Sequence, residues 1–111
     1  MSTKQEIFTL MSGRAKFWRS TYNPTSDAVW LAAFAPQNIK TVLDVGIGTG
    51  GVLLCLYANR PDIKITGLDI SNDMLDICKS NAELNNIDIE LINADITTWR
   101  ENRTFDLVIT N

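Results

Sequence analysis

The sequence of 111 residues contains no histidine and only two cysteines. Without histidine there is no Ser-His-Asp triad, no imidazole general base and none of the commonest zinc sites, so we expect no metal site. We interpret Cys55 and Cys78, which fall in predicted helices, as small buried hydrophobic side chains. No apolar run approaches the roughly 20 residues of a membrane-spanning helix, and the first residues lack a signal-peptide pattern. We therefore expect a cytoplasmic protein that has no membrane partner.

The net charge of −3 is small and negative, which argues against unspecific adhesion to nucleic acid. Residues 1–40 carry five basic and two acidic side chains, whereas residues 41–111 carry five basic and eleven acidic ones. A basic amino-terminal segment on an acidic body indicates either an anionic partner at one end or a solvated surface with uneven charge. With 45% hydrophobic and 21% charged residues, the composition is that of one ordinary globular domain.

The hydrophobic pattern from residue 25 onward predicts alternating helices and strands. The predicted helices are 27–35, capped by Thr25 or Ser26, then 51–59, and a third that Ser71 caps and Asn85-Asn86 ends; the predicted strands are 41–45, 63–68, 87–91 and 105–110. The third strand alternates apolar and acidic residues, which predicts an edge position, and the fourth is nearly all apolar, which predicts burial on both faces. This order predicts an α/β fold with a parallel sheet, right-handed crossovers and the spatial strand order 3-2-1-4.

A glycine-rich turn follows the first of these strands and precedes an apolar helix. Asp44 lies two residues before Gly46, and Gly46, Gly48 and Gly51 satisfy the G-x-G-x-x-G pattern, which alone is weak support for a dinucleotide site. Glycine suits such a turn because the backbone bends sharply and a ligand approaches closer than a Cβ atom would permit. Parallel strands deliver their carboxyl ends to one sheet edge. That edge also receives three polar residues that end or follow the other strands: Asp69, Asp95 and Asn111.

The acidic residues favour a cationic ligand over a pyrophosphate. Asp44 beside the turn would repel a phosphate but attract an ammonium group, and Asp95 lies where an adenine amino group can donate to it. S-adenosylmethionine carries an ammonium and a sulfonium group and no phosphate, so three acids suit it better than they suit a nicotinamide dinucleotide. The alternatives are a dehydrogenase site, an Asp44 that only orients the turn through backbone hydrogen bonds, and an Asp95 that only forms a turn.

Taken together, D-V-G-I-G-T-G-G, G-L-D-I, N-A-D-I and F-D-L-V-I-T-N resemble the class I S-adenosylmethionine-dependent methyltransferases over residues 41–111. The resemblance implies a partial Rossmann-like sheet of about four strands flanked by helices, with S-adenosylmethionine as the cofactor. In that family the glycine turn holds the methionine part, the acid that ends the second strand binds the ribose, and the acid after the third strand lies near the adenine. The resemblance thus assigns cofactor binding to Asp44, Gly46, Gly48, Gly50, Asp69, Ile70, Asp95 and Ile96.

The resemblance also gives Asn111 a catalytic role. Family members that methylate exocyclic or amide nitrogens carry Asn/Asp-Pro-Pro-aromatic after the fourth strand, and Asn111 stands at its first position. An amide oxygen and a backbone carbonyl that accept the two N–H bonds would favour a pyramidal, attacking nitrogen, and an aromatic ring would hold the base in line. The alternative is that Asn111 is only a chain terminus.

The amino-terminal residues suggest a nucleic-acid partner. We expect residues 1–12 to be weakly helical and residues 13–24 to form an extended arm or hairpin. The stretch from Tyr22 to Ala33 resembles the segment before the glycine turn in the bacterial tRNA adenine-6-amino methyltransferases of the "methyltransferase small" group. We therefore divide the chain into a basic and aromatic arm, 1–24, and a cofactor-binding half, 25–111. The predicted RNA-binding residues are Arg14, Lys16, Trp18, Arg19 and Tyr22, although Trp18 and Tyr22 have the alternative of packing on helix 27–35.

The resulting functional hypothesis is methylation of an adenine exocyclic amine in tRNA. The alternatives are methylation of an rRNA guanine or a protein glutamine, and a non-catalytic methyltransferase-like binding module. The sequence lacks a Pro-Pro-aromatic run after Asn111 and the fifth, sixth and seventh strands of the family. We therefore expect no turnover from these 111 residues, and either self-association through the strand at 105–110 or a piece of a longer protein.

Overall fold

The computed structural model describes residues 6–20, 23–24 and 26–110. In chain order the elements are β1 (Ile7–Leu10), β2 (Ala15–Trp18), α1 (Ser26–Ala33), β3 (Thr41–Val45), α2 (Gly51–Asn59), β4 (Lys64–Asp69), α3 (Asn72–Leu84), β5 (Glu90–Asn93) and β6 (Leu107–Thr110). The bounds predicted for β3 and α2 are confirmed at both ends, and so are the Ser71 cap and the Asn85 end of α3. The other predicted elements begin or end a few residues away. None of the helices in the described ranges is long and apolar enough to span a membrane.

Four parallel strands form the main sheet in the order β5-β4-β3-β6. This confirms the predicted α/β class, the predicted order 3-2-1-4 and the edge position of the third predicted strand. In the register, Asp44 of β3 lies between Gly67 of β4 and Ile109 of β6. The carboxyl ends of β3, β4 and β5 therefore reach the same edge of the sheet, which is where the glycine turn and the strand-end acids lie.

The main core lies between one face of this sheet and the three helices. Val42 and Ile65 project from β3 and β4 into the same buried cluster as the side chains of α2. Residues 51–56 of α2 are all buried, because the sheet, α1 and β2 surround the helix. Each fully buried leucine of this helix contributes roughly 1.5–3 kcal/mol to folding. The apolar burial thus holds the first turn of α2, directly after the glycine turn, in a fixed position.

The connection from β5 to β6 crosses the second face of the sheet, because those strands lie at opposite edges. Arg103 in this connection forms an ion pair of 2.8 Å with Glu90 of β5, and Leu43 and Leu68 on this face are buried. The predicted burial of 105–110 on both faces is wrong, since Val108 is 57% exposed. The reason is that β6 has one neighbouring strand in the described chain and buries only the face that carries Leu107 and Ile109.

The amino-terminal residues form an antiparallel hairpin of β1 and β2. The predicted weak helix over 1–12 is therefore wrong for residues 7–10, whereas the hairpin considered for 13–24 is observed at β2. The turn places Met11, Ser12 and Gly13 at φ of 58°, 55° and 87°. Phe8 stacks on Phe17 with ring centroids 5.3 Å apart, and β2 packs against α2 and α3. This tertiary packing overrides the weak local preference for a helix.

Candidate functional site

The glycine turn between β3 and α2 forms the centre of the site. Gly46, Gly48 and Gly50 have φ of +75°, +58° and +90°, a region that favours glycine over any residue with a Cβ atom. At Gly50 space is also restricted, because a Cβ atom there would lie 2.9 Å from the Sγ atom of Cys78. At Gly51 only the lack of space requires glycine, since a Cβ atom there would lie 2.6 Å from Pro24. The sequence prediction of a sharp turn at these glycines is confirmed.

Three backbone amides of this turn donate hydrogen bonds to oxygens of Leu68 and Asp69 at the end of β4. The amides of Gly46 and Ile47 donate to the Leu68 carbonyl at 2.7 and 3.0 Å. The Gly48 amide donates to Oδ2 of Asp69 at 2.8 Å, and the Ser71 amide donates to Oδ1 of the same carboxylate at 2.9 Å. Asp69, predicted to bind a ribose, thus also connects the glycine turn to the start of α3. Each of its oxygens keeps a further lone pair for a ligand hydroxyl.

A cavity of about 360 Å³ opens between the glycine turn and α1. Asp44 and Thr49 line it from the β3 side, and Asp27 lines it from the first turn of α1. The remaining wall comes from Asn23, Pro24, Ala28, Gly46, Ile47, Gly48, Gly51, Val52 and Met74. Asp27 and Pro24 were not among the predicted site residues, because their approach to the turn depends on how α1 packs on α2. The cavity therefore presents carboxylates from two elements to any ligand.

Asp44 is the most perturbed acid of the site. Its side chain is 3% exposed, and burial, followed by the negative charge of Asp69, raises its pKa to about 7. Within the described ranges no hydrogen bond or ion pair to its carboxylate is formed. The alternative in which Asp44 orients the turn through backbone hydrogen bonds is therefore not what the structure shows. An ammonium group in the cavity would favour the charged form of this carboxylate.

Two exposed isoleucines flank the ends of β4 and β5. Ile70 is 71% exposed and Ile96 is 47% exposed. The Asn93 side-chain amide joins the two strand ends, donating to the carbonyls of Asp69 and Ile70 at 3.1 and 3.0 Å. Large apolar side chains exposed at a sheet edge are suited to contact a flat apolar ring. Their predicted contact with an adenine stays a prediction.

Asp95 lies just beyond β5 and shapes its own turn. Its Oδ1 accepts from the Thr97 amide at 2.9 Å and from the Thr97 hydroxyl at 2.8 Å. These hydrogen bonds, that of the amide first, lower the pKa of Asp95, so the carboxylate is charged at neutral pH. The structure therefore contains the turn considered as the alternative for Asp95, and its predicted role near an adenine stays a prediction.

The structure distributes the predicted RNA-binding residues along the hairpin and does not gather them at the cavity. Arg14 donates to Oδ1 of Asn59 at 2.7 Å, at the end of α2 opposite the glycine turn. Arg19 forms an ion pair of 3.3 Å with Glu6 and lies 5.4 Å over the Phe8 ring. Lys16 is exposed, and Trp18 is half-buried. Three residues of the sequence prediction, Tyr22, Thr25 and Asn111, lie outside the described residues.

Two asparagines, one in α3 and one that caps its carboxyl end, have contacts that sequence reasoning missed. Asn81 is 1% exposed, and its side chain joins the glycine turn to β2. Asn85, one helical turn later, accepts a hydrogen bond from the Lys16 amide and donates one to the Lys16 carbonyl. A sequence signal does exist, because Asn81 lies on the same helical face as Leu75, Cys78 and Ala82, and a polar residue inside an apolar stripe predicts a buried hydrogen bond.

Comparison with known proteins identifies the family. A family model described as a methyltransferase domain matches residues 42–111. The release factor glutamine methyltransferase of Streptococcus pneumoniae is 37% identical over 68% of this chain and 28% of that protein. The tRNA1(Val) (adenine(37)-N6)-methyltransferase of Glaesserella parasuis is 32% identical over 78% of this chain and 38% of that protein.

Among solved structures, coclaurine N-methyltransferase bound to N-methylheliamine and SAH has a TM-score of 0.69 and 23% identity, over 77% of this chain and 26% of that chain. This likeness concerns the fold. The chain spans less than half the length of the curated relatives named above. The resemblance inferred from the glycine turn and the strand-end acids is confirmed, and with it S-adenosylmethionine as the cofactor of the family. The chain belongs to the methyltransferase domain family and has the fold of the class I S-adenosylmethionine-dependent methyltransferases.

Proposed function

We propose that this chain is the cofactor-binding part of an S-adenosylmethionine-dependent methyltransferase, with the methyl donor in the cavity beside the glycine turn. The observation that carries the proposal is Asp44, a buried carboxylate without a described hydrogen-bond partner at the wall of that cavity. A ligand with an ammonium group supplies the missing counter-charge. A pyrophosphate would instead add negative charge beside Asp44 and Asp27.

In this proposal each part of the ligand meets a different element. The ammonium group lies near Asp44, and the methionine backbone approaches Gly46, Gly48 and Gly50, which have no side chain to block it. Asp69 accepts the ribose hydroxyls with its remaining lone pairs. Ile70 and Ile96 contact the adenine ring, and Asp95 lies at its rim. The cofactor, when bound, supplies an electrophilic methyl group on a sulfonium, and the chain's residues hold it and exclude water from it.

We propose a planar nitrogen as the methyl acceptor, and tRNA adenine as its favoured source. The support is the resemblance around Tyr22 to Ala33 and the relative named as a tRNA adenine methyltransferase. A protein glutamine is the second candidate, because other relatives are named as release factor glutamine methyltransferases. Both acceptors need their N–H bonds held by acceptor groups, which is the role proposed for Asn111. A cytoplasmic location and the division at residue 24 stay predictions.

Calorimetric titration with S-adenosylhomocysteine tests the cofactor proposal. We expect one site per chain, and no binding of NADH at the same concentrations. Asp44→Asn should weaken the affinity by about tenfold, because a charge-assisted contact of roughly 1.5 kcal/mol is lost. Asp73→Asn in the first turn of α3 is the matched control, since that exposed acid does not line the cavity. Binding of NADH without binding of S-adenosylhomocysteine would favour the dehydrogenase alternative.

The acceptor proposal is tested with unmodified tRNA labelled for fluorescence anisotropy. We expect salt-dependent binding that Lys16→Glu weakens, because Lys16 presents an exposed cation on β2. Lys64→Glu is the matched control, since that exposed lysine lies on β4 and not on the hairpin. Binding of a glutamine-containing release-factor peptide in place of tRNA would support the second candidate.

A further inference from the structure

Asn81 is a buried side chain that contacts both the glycine turn and the hairpin. It is 1% exposed on α3. Its Nδ2 donates to the Thr49 carbonyl at 3.0 Å, and its Oδ1 accepts from the Trp18 amide at 2.8 Å. One side chain thus satisfies a carbonyl of the turn and an amide of β2. Because the bond to Thr49 is buried, its loss leaves a desolvated polar group.

The Thr49 carbonyl belongs to the part of the turn that glycine flanks on both sides. It lies between Gly48 and Gly50, two residues at positive φ, so the backbone here has wide conformational freedom. The same peptide group is held at its other end, because the Gly50 amide donates to the Ile47 carbonyl at 3.1 Å. Thr49 itself lines the cavity. The Asn81 amide therefore completes the restraint of a flexible peptide at the ligand's position.

We propose that Asn81 is a positioning residue that fixes the Thr49–Gly50 peptide for the cofactor and couples the hairpin to the cofactor cavity. This inference rests on the proposed function. The coupling is reciprocal by thermodynamic necessity, so a ligand that orders the turn also strengthens the attachment of β2 to α3. The hairpin that carries the proposed RNA-binding residues is then more firmly held when the cofactor is present.

Asn85 provides an internal control because it binds the same hairpin without reaching the turn. Its Oδ1 accepts from the Lys16 amide at 2.9 Å, and its Nδ2 donates to the Lys16 carbonyl at 2.7 Å. The Nδ2 also donates to the Asn81 carbonyl on the same helix. Loss of the Asn85 side chain weakens hairpin docking and one hydrogen bond at the end of α3 but removes no contact to the turn. Loss of the Asn81 amide weakens the docking of the turn as well.

The first test compares Asn81→Asp with Asn85→Asp in the 111-residue chain. Asn81→Asp keeps an acceptor for Trp18 but loses the donor to Thr49. We expect it to weaken S-adenosylhomocysteine binding by about tenfold or more, because one buried hydrogen bond is lost and a carboxylate faces the Thr49 carbonyl. Asn85→Asp should stay within about twofold of the parent affinity while it lowers the unfolding midpoint. Equal affinities for the two variants would overturn the inference.

The second test needs no variant and so does not depend on the folding of one. Hydrogen exchange of two backbone amides is followed in the parent chain with and without saturating S-adenosylhomocysteine. We expect protection to increase several-fold more at Trp18, whose acceptor is Asn81, than at Lys16, whose acceptor is Asn85. Unchanged protection at the Trp18 amide in the presence of bound S-adenosylhomocysteine would overturn the coupling and leave the proposed function standing. No binding by the parent chain would overturn the proposed function itself.

Discussion

Replacing Asp44 by asparagine should make the cofactor-free chain more stable at high pH. Burial raises the pKa of Asp44 from 3.8 to about 7, so the folded chain binds this proton more tightly than the unfolded chain does. Unfolding therefore releases the proton between these two values, and stability falls as pH rises from about 4 to about 7. The full effect is about 4 kcal/mol at 1.36 kcal/mol per pH unit, and about 2–3 kcal/mol of it falls between pH 5 and pH 8.

The assay is urea unfolding followed by far-ultraviolet circular dichroism at pH 5, 6, 7 and 8. For the parent chain we expect the free energy of unfolding to decrease towards pH 8. For Asp44→Asn we expect little of this decrease, because the asparagine amide resembles the protonated acid in size and carries no charge. Near pH 5 the variant should already be the more stable by roughly 1–2 kcal/mol, and at pH 8 by roughly 4 kcal/mol.

The affinity for ligand should depend on pH in the opposite direction to the stability of the cofactor-free chain. S-adenosylhomocysteine carries an ammonium group that favours ionised Asp44, so its binding to the parent chain should strengthen as pH rises to about 7. Asp44→Asn should bind weakly at every pH. Stability that still falls between pH 5 and pH 8 in Asp44→Asn, with the slope of the parent chain, would refute the reasoning.

Three further predictions concern other parts of the molecule. Gly50→Ala should lower the free energy of unfolding by roughly 1–3 kcal/mol more than Gly46→Ala in urea titrations, because both glycines have positive φ but only Gly50 would contact Cys78. Asp106→Asn should lower the unfolding midpoint at pH 7, and this effect should shrink as the pH is lowered below about 4. The amides of Lys40, first, and of Thr41 lower the pKa of Asp106, so its stabilisation is present above the unfolded pKa and is lost as pH falls through the folded pKa. Val108→Glu should abolish the proposed self-association through β6 in sedimentation velocity, because it charges the exposed side of that strand; a parent chain that sediments as a monomer would contradict this prediction.

Local signals explain why the centre of the fold could be predicted from the sequence. The apolar run of β3, the glycines that follow it and Pro61 after α2 all agree with the tertiary environment of these segments. Strand and helix propensity, the hydrophobic pattern and the turn residues all indicate the same boundaries for β3 and α2. The structure has these boundaries. The order of the parallel strands follows because right-handed crossovers leave few other arrangements.

The errors occur where a distant part of the chain decides the structure. Residues 7–10 become a strand because Phe8 stacks on Phe17, a contact that no local pattern contains. The roles of Asn81 and Asn93 depend on carbonyl groups of other elements. The approach of Asp27 to the cavity likewise depends on helix packing. The sequence thus predicts which acids follow the strands, and the structure shows which of them line the cavity.

The geometry of Asp44 connects stability to ligand binding. A carboxylate at this position opposes folding by about 4 kcal/mol at pH 8, against a typical total stability of only 5–15 kcal/mol for a domain. The opposition disappears when a cation occupies the cavity, because the carboxylate then gains a counter-charge in a water-poor environment. The glycine turn, by contrast, is held in this structure by hydrogen bonds from β4 and α3. The charge of the site is balanced only on binding, so a cationic cofactor should stabilise this chain more at pH 8 than at pH 5.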